Sequence, residues 1–594
     1  MTNIQNPYER RHTLLNGDWN YVIDPYETGS LDMFGNESEQ GYFQNRTPAD
    51  HWASEINLPE SPTMQVPGDW NTQVEMLRWY EGTVWYHSKL PDGAELKAAG
   101  ERTFIRFGAA NYAAVVWVNG TEVVRHVGGF TPFEAEITDL IQDSGNFVIV
   151  KVNDERLKDG VPTTNTDWWN YGGITRDVML VSTPETFIRD YFCQLNQDGS
   201  EICGHVSLDG LVDGAKTGDG VQLHIPELNI EETIALDGNT GHFAIAASPE
   251  LWSPENPKRY EVSFHYGEDK ISQLIGFRTI KTEGENIVLN GESIFLKGIS
   301  SHEEAFADEV DAARRANSEA DARRIFSEIK ALGCNFARLA HYTHNDHMTR
   351  VADELGILLW CEVPVYWGIN WRSRSVLDNA RNQLTEMIER DRNCASIILW
   401  SVANETPTSE ARTTFLAELV RTAKQLDPVR LTTAALFMHP QKITEDGQVV
   451  RTYTLDDPLA EHLDVMGCNQ YLGWYYTKLE DIRGSRWFSD MNKPLIMSEF
   501  GAGAPKHRRG AQTERWTEDY QQSVYQEQLA MMDDISFLRG LSPWILKDFR
   551  TPKRPLVGIQ DYYNRKGLLS DQGEKKLAWQ TLHDYYQQKP TRVK

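Results

Sequence analysis

The sequence predicts a multidomain protein with an N-terminal β jelly-roll sandwich, an immunoglobulin-like β-sandwich and a C-terminal (β/α)8 TIM barrel. Its 594 residues exceed a single small fold, because domains commonly hold about 150 residues. The first part of the chain consists of short strands and turns, whereas from about residue 280 short apolar runs alternate with helical periods. We therefore expect domains over residues 1–182, 183–280 and 281–594.

Alternating strands and tight turns predict the jelly roll. Apolar runs at 103–107 and 113–118 are followed by an Asn119-Gly120 turn, which is a strong hairpin signal. Further strands are expected at 121–124 and 147–152. Because no long helical period interrupts them, we expect antiparallel strands packed as a sandwich.

The immunoglobulin-like domain follows a break near Thr183-Pro184. Strands recur at wider spacing, at residues 221–226, 242–247 and 259–266, and the segment ends near residues 276–278. A stretch of about 100 residues with this spacing suits a small sandwich of that kind.

The barrel is predicted from eight short apolar runs separated by helical segments. The clearest helix covers residues 321–332 and is expected to stop at Gly333. The runs lie near residues 294, 335, 357, 397, 431, 464, 494 and 541. Eight strands with intervening helices match a (β/α)8 barrel, so we expect the functional site at the carboxyl ends of the strands.

Composition excludes several classes of function. Fifty-nine Lys and Arg against 86 Asp and Glu give a formal charge of −27, which repels nucleic acid. No leader-like segment and no apolar run long enough to cross a membrane occurs, so we expect a soluble, cytoplasmic protein, although a chain trimmed of its leader would look the same. The six cysteines show no metal-binding spacing, and we expect no metal.

Two glutamates carry the strongest chemical signal. Glu405 follows the predicted fourth strand and Glu499 ends the seventh, where a buried carboxylate is costly unless it is hydrogen-bonded or functional. Strands four and seven face each other across a barrel mouth, which makes two separate rim salt bridges the weaker alternative. Paired carboxyls flanking a bond are what glycoside hydrolysis requires.

Eight segments together resemble glycoside hydrolase family 2, which includes β-galactosidases and β-glucuronidases. The resemblance covers nearly the whole chain, and the family's layout of jelly roll, immunoglobulin-like sandwich and barrel agrees with the periodicity. The segments lie at residues 66–71, 80–86, 116–120, 128–133, 335–342, 390–393, 404–405 and 498–499.

The resemblance implies that Glu405 is the general acid/base and Glu499 the nucleophile of a retaining mechanism. Glu405 then needs an apolar or anionic neighbourhood that keeps it protonated, whereas Glu499 needs hydrogen-bond donors. The resemblance also places Asn404 at the sugar 2-hydroxyl; capping the loop after strand four is the structural alternative.

The segment Asn564-Arg565-Lys566-Gly567 points to the sugar. Side chains two residues apart in an extended loop can point the same way, and an amide and an ammonium suit a sugar carboxylate. Within the family this motif resembles the uronate clamp of bacterial β-glucuronidases. Gln560 stands where those enzymes carry an arginine, so one positive charge is missing and glucuronate and galacturonate both stay open.

Further pocket positions follow from the resemblance. Asp167 matches a jelly-roll aspartate that binds sugar hydroxyls. His302 follows strand one and Trp544 follows strand eight, and the residues after strand six are Asn469, Tyr471 and Tyr475. Basic residues at 506–509 and 550–554 are expected to form either a rim for a charged oligosaccharide or solvated loops.

We therefore expect a retaining exo-β-glycosidase that removes a terminal β-linked uronic acid, in the first place glucuronate, from glycosides or oligosaccharides. The alternatives are a β-galactosidase or β-galacturonidase of the same family and a non-catalytic carbohydrate-binding protein, against which both glutamates count. The mechanism needs no cofactor. The resemblance implies a homo-oligomer, a dimer or tetramer, and no nucleic-acid or membrane partner is expected.

Overall fold

A computed structural model describes residues 2–46, 56–96, 100–211, 220–307, 314–445 and 448–593. The N-terminal domain packs a four-stranded antiparallel sheet against a six-stranded one, which confirms the predicted sandwich. In sheet order the strands are His12–Leu14, Val178–Pro184, Glu101–Phe107 and Phe133–Glu136, and then Thr63–Val66, Gly17–Ile23, Thr83–Lys89, Phe147–Asn153, Ala113–Val118 and Thr121–Val127.

The second domain is a sandwich of a three-stranded and a four-stranded sheet. Its strands are Phe187–Leu195, Glu201–Asp209 and Thr240–Ala246, and then Ile230–Ile234, Val221–Ile225, Tyr260–Tyr266 and Asp269–Ile275. Every second residue of Val221–Ile225 is buried, which is the pattern of a strand with one face in the core. The predicted immunoglobulin-like sandwich is therefore present, and it contains four strands that the sequence pattern missed.

The C-terminal domain is a closed barrel of eight parallel strands. The eight strands are Leu296–Ser301, Phe336–Leu339, Leu358–Glu362, Ile397–Asn404, Leu431–Leu436, Met466–Asn469, Leu495–Glu499 and Leu538–Leu541. Each lies at or within a few residues of one of the predicted apolar runs. The TIM barrel is therefore confirmed.

The α-helices that surround the barrel are Glu319–Ala331, Asp346–Leu355, Arg374–Asp391, Glu410–Leu426, Glu518–Met532 and Leu577–Gln588. The first begins with a capping box of Ser318 and Asp321, buries the predicted apolar face and is followed by Gly333 at φ +92°, as the sequence predicts. Among the residues described, no helix is long and apolar enough to span a bilayer.

The connections on either side of barrel strand six depart from the expected alternation. In the described chain they contain short 3-10 turns and no α-helix. A small sheet takes that place, built from the hairpin His439–Glu445 and Gln448–Thr454 and the strand Arg486–Phe488. The strand count alone therefore does not fix what covers this side of the barrel.

Candidate active site

Glu405 and Glu499 lie on one cavity at the carboxyl ends of the barrel strands. Glu405 directly follows strand four, and Glu499 is the last residue of strand seven. Glu405 is half-buried and Glu499 is buried. The cavity holds about 260 Å³ and is lined by Asp167, His341, Tyr366, Trp367, Glu405, Phe437, Tyr471, Tyr475, Tyr476, Glu499, Trp544, Arg554, Asn564 and Lys566.

Glu405 is held by two side-chain donors. Its Oε1 accepts a hydrogen bond from Asn469 Nδ2 at 3.0 Å, and its Oε2 accepts one from Trp367 Nε1 at 2.8 Å. The backbone of Glu405 has φ +49°, an uncommon conformation for a residue with a side chain, and its N–H bonds to the carbonyl of Ala435. Two side-chain donors therefore contact Glu405, where an apolar or anionic neighbourhood was expected.

Glu499 receives donors on both carboxyl oxygens. Arg338 Nη1 lies 2.8 Å from Oε1, and the Tyr471 hydroxyl lies 2.6 Å from Oε2. Burial raises the pKa of Glu499 and Glu405 adds to this, while Arg338 and Tyr471 lower it; the resulting pKa is about 7. The two donors agree with the expected nucleophile, but burial leaves the carboxyl of Glu499 less acidic than expected.

Arg338 is the fully buried cation beneath the pair. Its Nη2 donates to Asn404 Oδ1 at 2.7 Å and to Glu362 Oε1 at 3.0 Å. Burial raises the pKa of Glu362, but Arg338 and a hydrogen bond from His341 outweigh it and bring the pKa to about 2. Arg338 therefore links Glu499 to Asn404 through one rigid guanidinium, and the carboxylate of Glu362 balances its charge.

Asn404 and Asn469 lie just behind the cavity wall. Asn404 Oδ1 accepts hydrogen bonds from Arg338 and, at 3.2 Å, from Asn469 Nδ2, while Asn469 Oδ1 accepts one from Ser498 at 2.7 Å. The amide nitrogen of Asn404 donates to no residue in the described ranges. This amide nitrogen can therefore donate a hydrogen bond to a sugar hydroxyl.

Lys566 and Asn564 line the cavity, and Lys566 is 4% exposed. Its ammonium donates to the Tyr475 hydroxyl at 2.8 Å and lies 5.2 Å and 4.9 Å from the ring centroids of Tyr471 and Tyr475. Asn564 Oδ1 accepts the backbone N–H of Lys566 at 3.2 Å, which orients one residue of the pair by the other. The predicted pair therefore shares one wall.

Lys566 differs from the other buried lysines of the described chain. Lys547 pairs with Glu304 at 3.0 Å, and Lys576 pairs with Asp548 at 2.6 Å. No carboxylate among the described residues forms such a pair with Lys566. A buried ammonium is costly without a counter-charge, so the cavity offers a place for an anion.

A loop of the jelly roll forms part of the cavity wall. Asp167 accepts a hydrogen bond from the Thr551 hydroxyl at 2.9 Å, and the backbone N–H of Trp169 bonds to the carbonyl of Arg550. The Trp168 ring packs 4.9 Å from the ring of Tyr366. A loop of the first domain therefore contributes to the cavity wall, where the resemblance places Asp167.

His302 and Trp544 take different places. Trp544 lines the cavity and stacks on His341 with 4.7 Å between ring centroids. His302 lies behind it, bonded through Nδ1 to the Tyr342 hydroxyl at 2.9 Å, and does not line the described cavity. Burial lowers the pKa of His302 well below its usual value, so it is a neutral support for the wall.

Sequence reasoning missed several residues of the site. Arg338 appeared only as part of a motif and Arg554 only within a basic run, while Trp367 and Glu362 carried no signal. In the other predicted basic run, at residues 506–509, Lys506 pairs with Glu518 and Arg509 pairs with Asp519. Neither Lys506 nor Arg509 lines the cavity, which favours the interpretation of this run as a solvated loop.

Comparison with known proteins agrees with this architecture. The profile described as "Glycosyl hydrolases family 2, TIM barrel domain" matches residues 280–588, and "Glycosyl hydrolases family 2, sugar binding domain" matches residues 13–184. A β-glucuronidase of Paenibacillus borealis is 27% identical, covering 96% of this chain and 95% of its own length. One of Sus scrofa is 27% identical, covering 98% and 91%.

Solved structures share the whole fold. A Bifidobacterium dentium β-glucuronidase complexed with coumarin-3-O-glucuronide aligns with a TM-score of 0.82 at 23% identity, covering 100% of both chains. A family 2 β-galacturonidase of Eisenbergiella tayi bound to galacturonate aligns with a TM-score of 0.79 at 24% identity, covering 100% of this chain and 99% of the other. With both family profiles matched and the barrel closed, the chain belongs to glycosyl hydrolase family 2 and is a glycoside hydrolase.

Proposed function

We propose that this protein is a retaining exo-β-glycosidase that removes a terminal β-linked uronic acid, in the first place glucuronic acid, from glycosides or oligosaccharides. Glu499 attacks the anomeric carbon while Glu405 protonates the departing oxygen, which gives a glycosyl ester on Glu499. Glu405 then takes a proton from water, the water displaces Glu499, and the sugar leaves with its β configuration.

The surrounding groups suit these two roles. Arg338 and Tyr471 stabilise the negative charge of Glu499 when it departs from the sugar in the second step. Trp367 and Asn469 fix the direction of Glu405. A cavity of about 260 Å³ is near the lower end of the range for ligand pockets, which suits a single sugar ring and hence removal of one terminal residue at a time.

The observation that carries the choice of sugar is the buried ammonium of Lys566. Its hydrogen-bond partner in the described protein is the hydroxyl of Tyr475 and not a carboxylate. A uronic acid brings the missing carboxylate, whereas glucose or galactose brings a hydroxymethyl group that leaves the charge uncompensated. Relatives along the full length of the chain, at 26–27% identity, are β-glucuronidases, which supports the same choice.

Matched substrates test this proposal. The para-nitrophenyl β-glucuronide and β-glucoside differ only in the group on C5, and the galacturonide and galactoside form a second such pair. We expect kcat/KM to favour each uronide over its neutral partner, with the glucuronide preferred. A larger kcat/KM for a galactoside or glucoside would overturn the assignment, and a preferred galacturonide would reassign the sugar.

A variant separates the clamp from general effects. We expect Lys566→Met to lower the ratio of kcat/KM for glucuronide over glucoside by about 100-fold, the size of one or two charge-assisted hydrogen bonds. Lys478→Met, at a side chain 78% exposed, is the matched control. An unchanged ratio in Lys566→Met would remove the argument from the clamp.

A further inference from the structure

Arg554 is a second cation on the cavity wall, and it lies outside the Asn564–Lys566 motif. Its Nε donates to Asp167 Oδ1 at 3.2 Å, and its Nη2 donates to Asp167 Oδ2. The side chain is 23% exposed, so the guanidinium is fixed at one edge and open to the cavity elsewhere. Arg554 therefore brings a positive charge to the cavity that Asn564 and Lys566 line, whereas Gln560 stands where bacterial β-glucuronidases carry an arginine.

Asp167 is fully occupied by donors within the protein. Oδ1 accepts from the Thr551 hydroxyl at 2.9 Å as well as from Arg554, and Oδ2 accepts from Arg554 and from Asn564 Nδ2 at 3.3 Å. An ionised carboxyl has about four acceptor positions, and here four donors use them. Asp167 therefore holds donors in place and has little capacity left to accept a sugar hydroxyl.

Arg554 and Lys566 both act on Tyr475. The Tyr475 hydroxyl accepts a hydrogen bond from Lys566 at 2.8 Å, and the charge of Arg554 acts on the same phenol. Burial raises the pKa of Tyr475, but the charges of Lys566 and Arg554 outweigh it and lower the pKa overall. Two cations thus act on a single phenol. Among the described residues, Asp167 is the acid that forms an ion pair with one of them, Arg554, and none pairs with Lys566.

We propose that Arg554 is the second cation of the sugar-carboxylate subsite, with Asp167 as the positioning residue that holds it there. The inference rests on the proposed uronidase function and adds a specificity-determining residue to it. The carboxylate of the sugar bonds Lys566 and the free edge of Arg554 together, and it displaces the contact of Lys566 with Tyr475. A planar guanidinium suits this role because it can present two parallel donors to one carboxylate.

The proposal makes specificity depend on the first domain. Arg554 follows barrel strand eight, but the carboxylate that orients it comes from the jelly-roll loop. If the loop is displaced, the guanidinium loses its anchor and the preference for a charged sugar weakens, while the two glutamates keep their own supports. Selectivity and turnover are therefore separable properties of this enzyme.

The test compares Arg554→Gln, Asp167→Asn and Lys566→Met on the para-nitrophenyl glucuronide and glucoside. We expect Arg554→Gln to lower the glucuronide-over-glucoside ratio of kcat/KM by about 30-fold, and Asp167→Asn by about 10-fold, chiefly through KM for the glucuronide. Arg421→Gln, on an exposed helix face, is the control. Arg554→Lys keeps the charge without the fork, and we expect a ratio between those of wild type and Arg554→Gln.

The outcomes separate the two proposals. If Lys566→Met lowers the ratio but Arg554→Gln lowers activity on both substrates equally, Arg554 is only part of the wall and the inference is overturned while the uronidase proposal stands. If Lys566→Met leaves the ratio unchanged, the uronidase proposal itself fails. If Arg554→Gln does not fold, Arg554→Lys is the test. A glucuronide-over-glucoside ratio equal to that of wild type would contradict a role for the two parallel guanidinium donors of Arg554.

Discussion

The Tyr471 hydroxyl donates to Oε2 of Glu499 at 2.6 Å, from the loop that follows barrel strand six. The hydrogen bond favours the ionised carboxyl and so lowers the pKa of Glu499, against the burial that raises it. Because Arg338 occupies the other oxygen, both sides of the proposed nucleophile are fixed before a sugar arrives.

Tyr471→Phe tests this balance through the pH dependence of activity. Removing the hydroxyl raises the pKa of Glu499, so less of the carboxyl is ionised at a given pH and the acid limb of the kcat/KM profile moves to higher pH. We expect kcat to fall by about 10-fold to 100-fold as well. An acid limb that stays in place or moves to lower pH would contradict the role of Tyr471.

If Glu405 is the proton donor and Glu499 the nucleophile, the loss of activity in Glu405→Gln should depend on the leaving group of the substrate. Glu405→Gln removes the proton donor, so an alkyl glucuronide is expected to lose about 10,000-fold in kcat/KM and a para-nitrophenyl glucuronide about 100-fold, because nitrophenolate departs without protonation. Glu499→Gln is expected to abolish turnover of both. Equal losses for both substrates in Glu405→Gln would argue against its role as acid.

The unpaired charge of Lys566 predicts a gain in stability when it is removed. Lys566→Met is expected to raise the free energy of unfolding of the ligand-free protein by about 1 kcal/mol, since a buried ammonium without a counter-ion is replaced by an apolar chain of similar length. Lys576→Met, which leaves the buried carboxyl of Asp548 without its ammonium, is expected to lower it by about 3 kcal/mol.

Thermal unfolding of the two lysine variants beside wild type measures this contrast. The apparent midpoint should rise for Lys566→Met and fall for Lys576→Met. Glucuronic acid should then raise the midpoint of wild type by more than that of Lys566→Met, because its carboxylate supplies the missing partner. A drop in midpoint for Lys566→Met as large as that for Lys576→Met would show that Lys566 has a structural partner.

The sequence predicts the barrel well because the pattern that defines it is local. Each strand is a short apolar run, and the helix Glu319–Ala331 carries its own cap and stop signals. Glu405 and Glu499 follow from the same pattern, since strand ends meet at one edge of a barrel. The small sheet around Arg486–Phe488 was not predictable in this way, because its third strand pairs with a hairpin more than 30 residues earlier.

Arg554 shows the limit for the site. Nothing in the basic run at 550–554 distinguishes it from its neighbours, and its position is set by Asp167, 387 residues earlier in the chain. His302 shows the converse, because a residue placed in the pocket by resemblance lies one layer behind the wall. Contacts between residues far apart in the sequence decide both cases, and no local spacing carries that information.

The central claim, that Glu499 is the nucleophile of a β-uronidase, can be tested by trapping its glycosyl ester. A β-glucuronyl fluoride with fluorine in place of the 2-hydroxyl should inactivate the enzyme. The fluorine at C2 slows both steps, but the good leaving group at C1 keeps formation of the glycosyl ester fast enough for the ester to accumulate. Peptide mass spectrometry should then find the fluoro-glucuronyl group on Glu499, with much slower labelling in Lys566→Met. A label on Glu405 or another residue, or equally rapid labelling by the corresponding glucosyl fluoride, would contradict the claim.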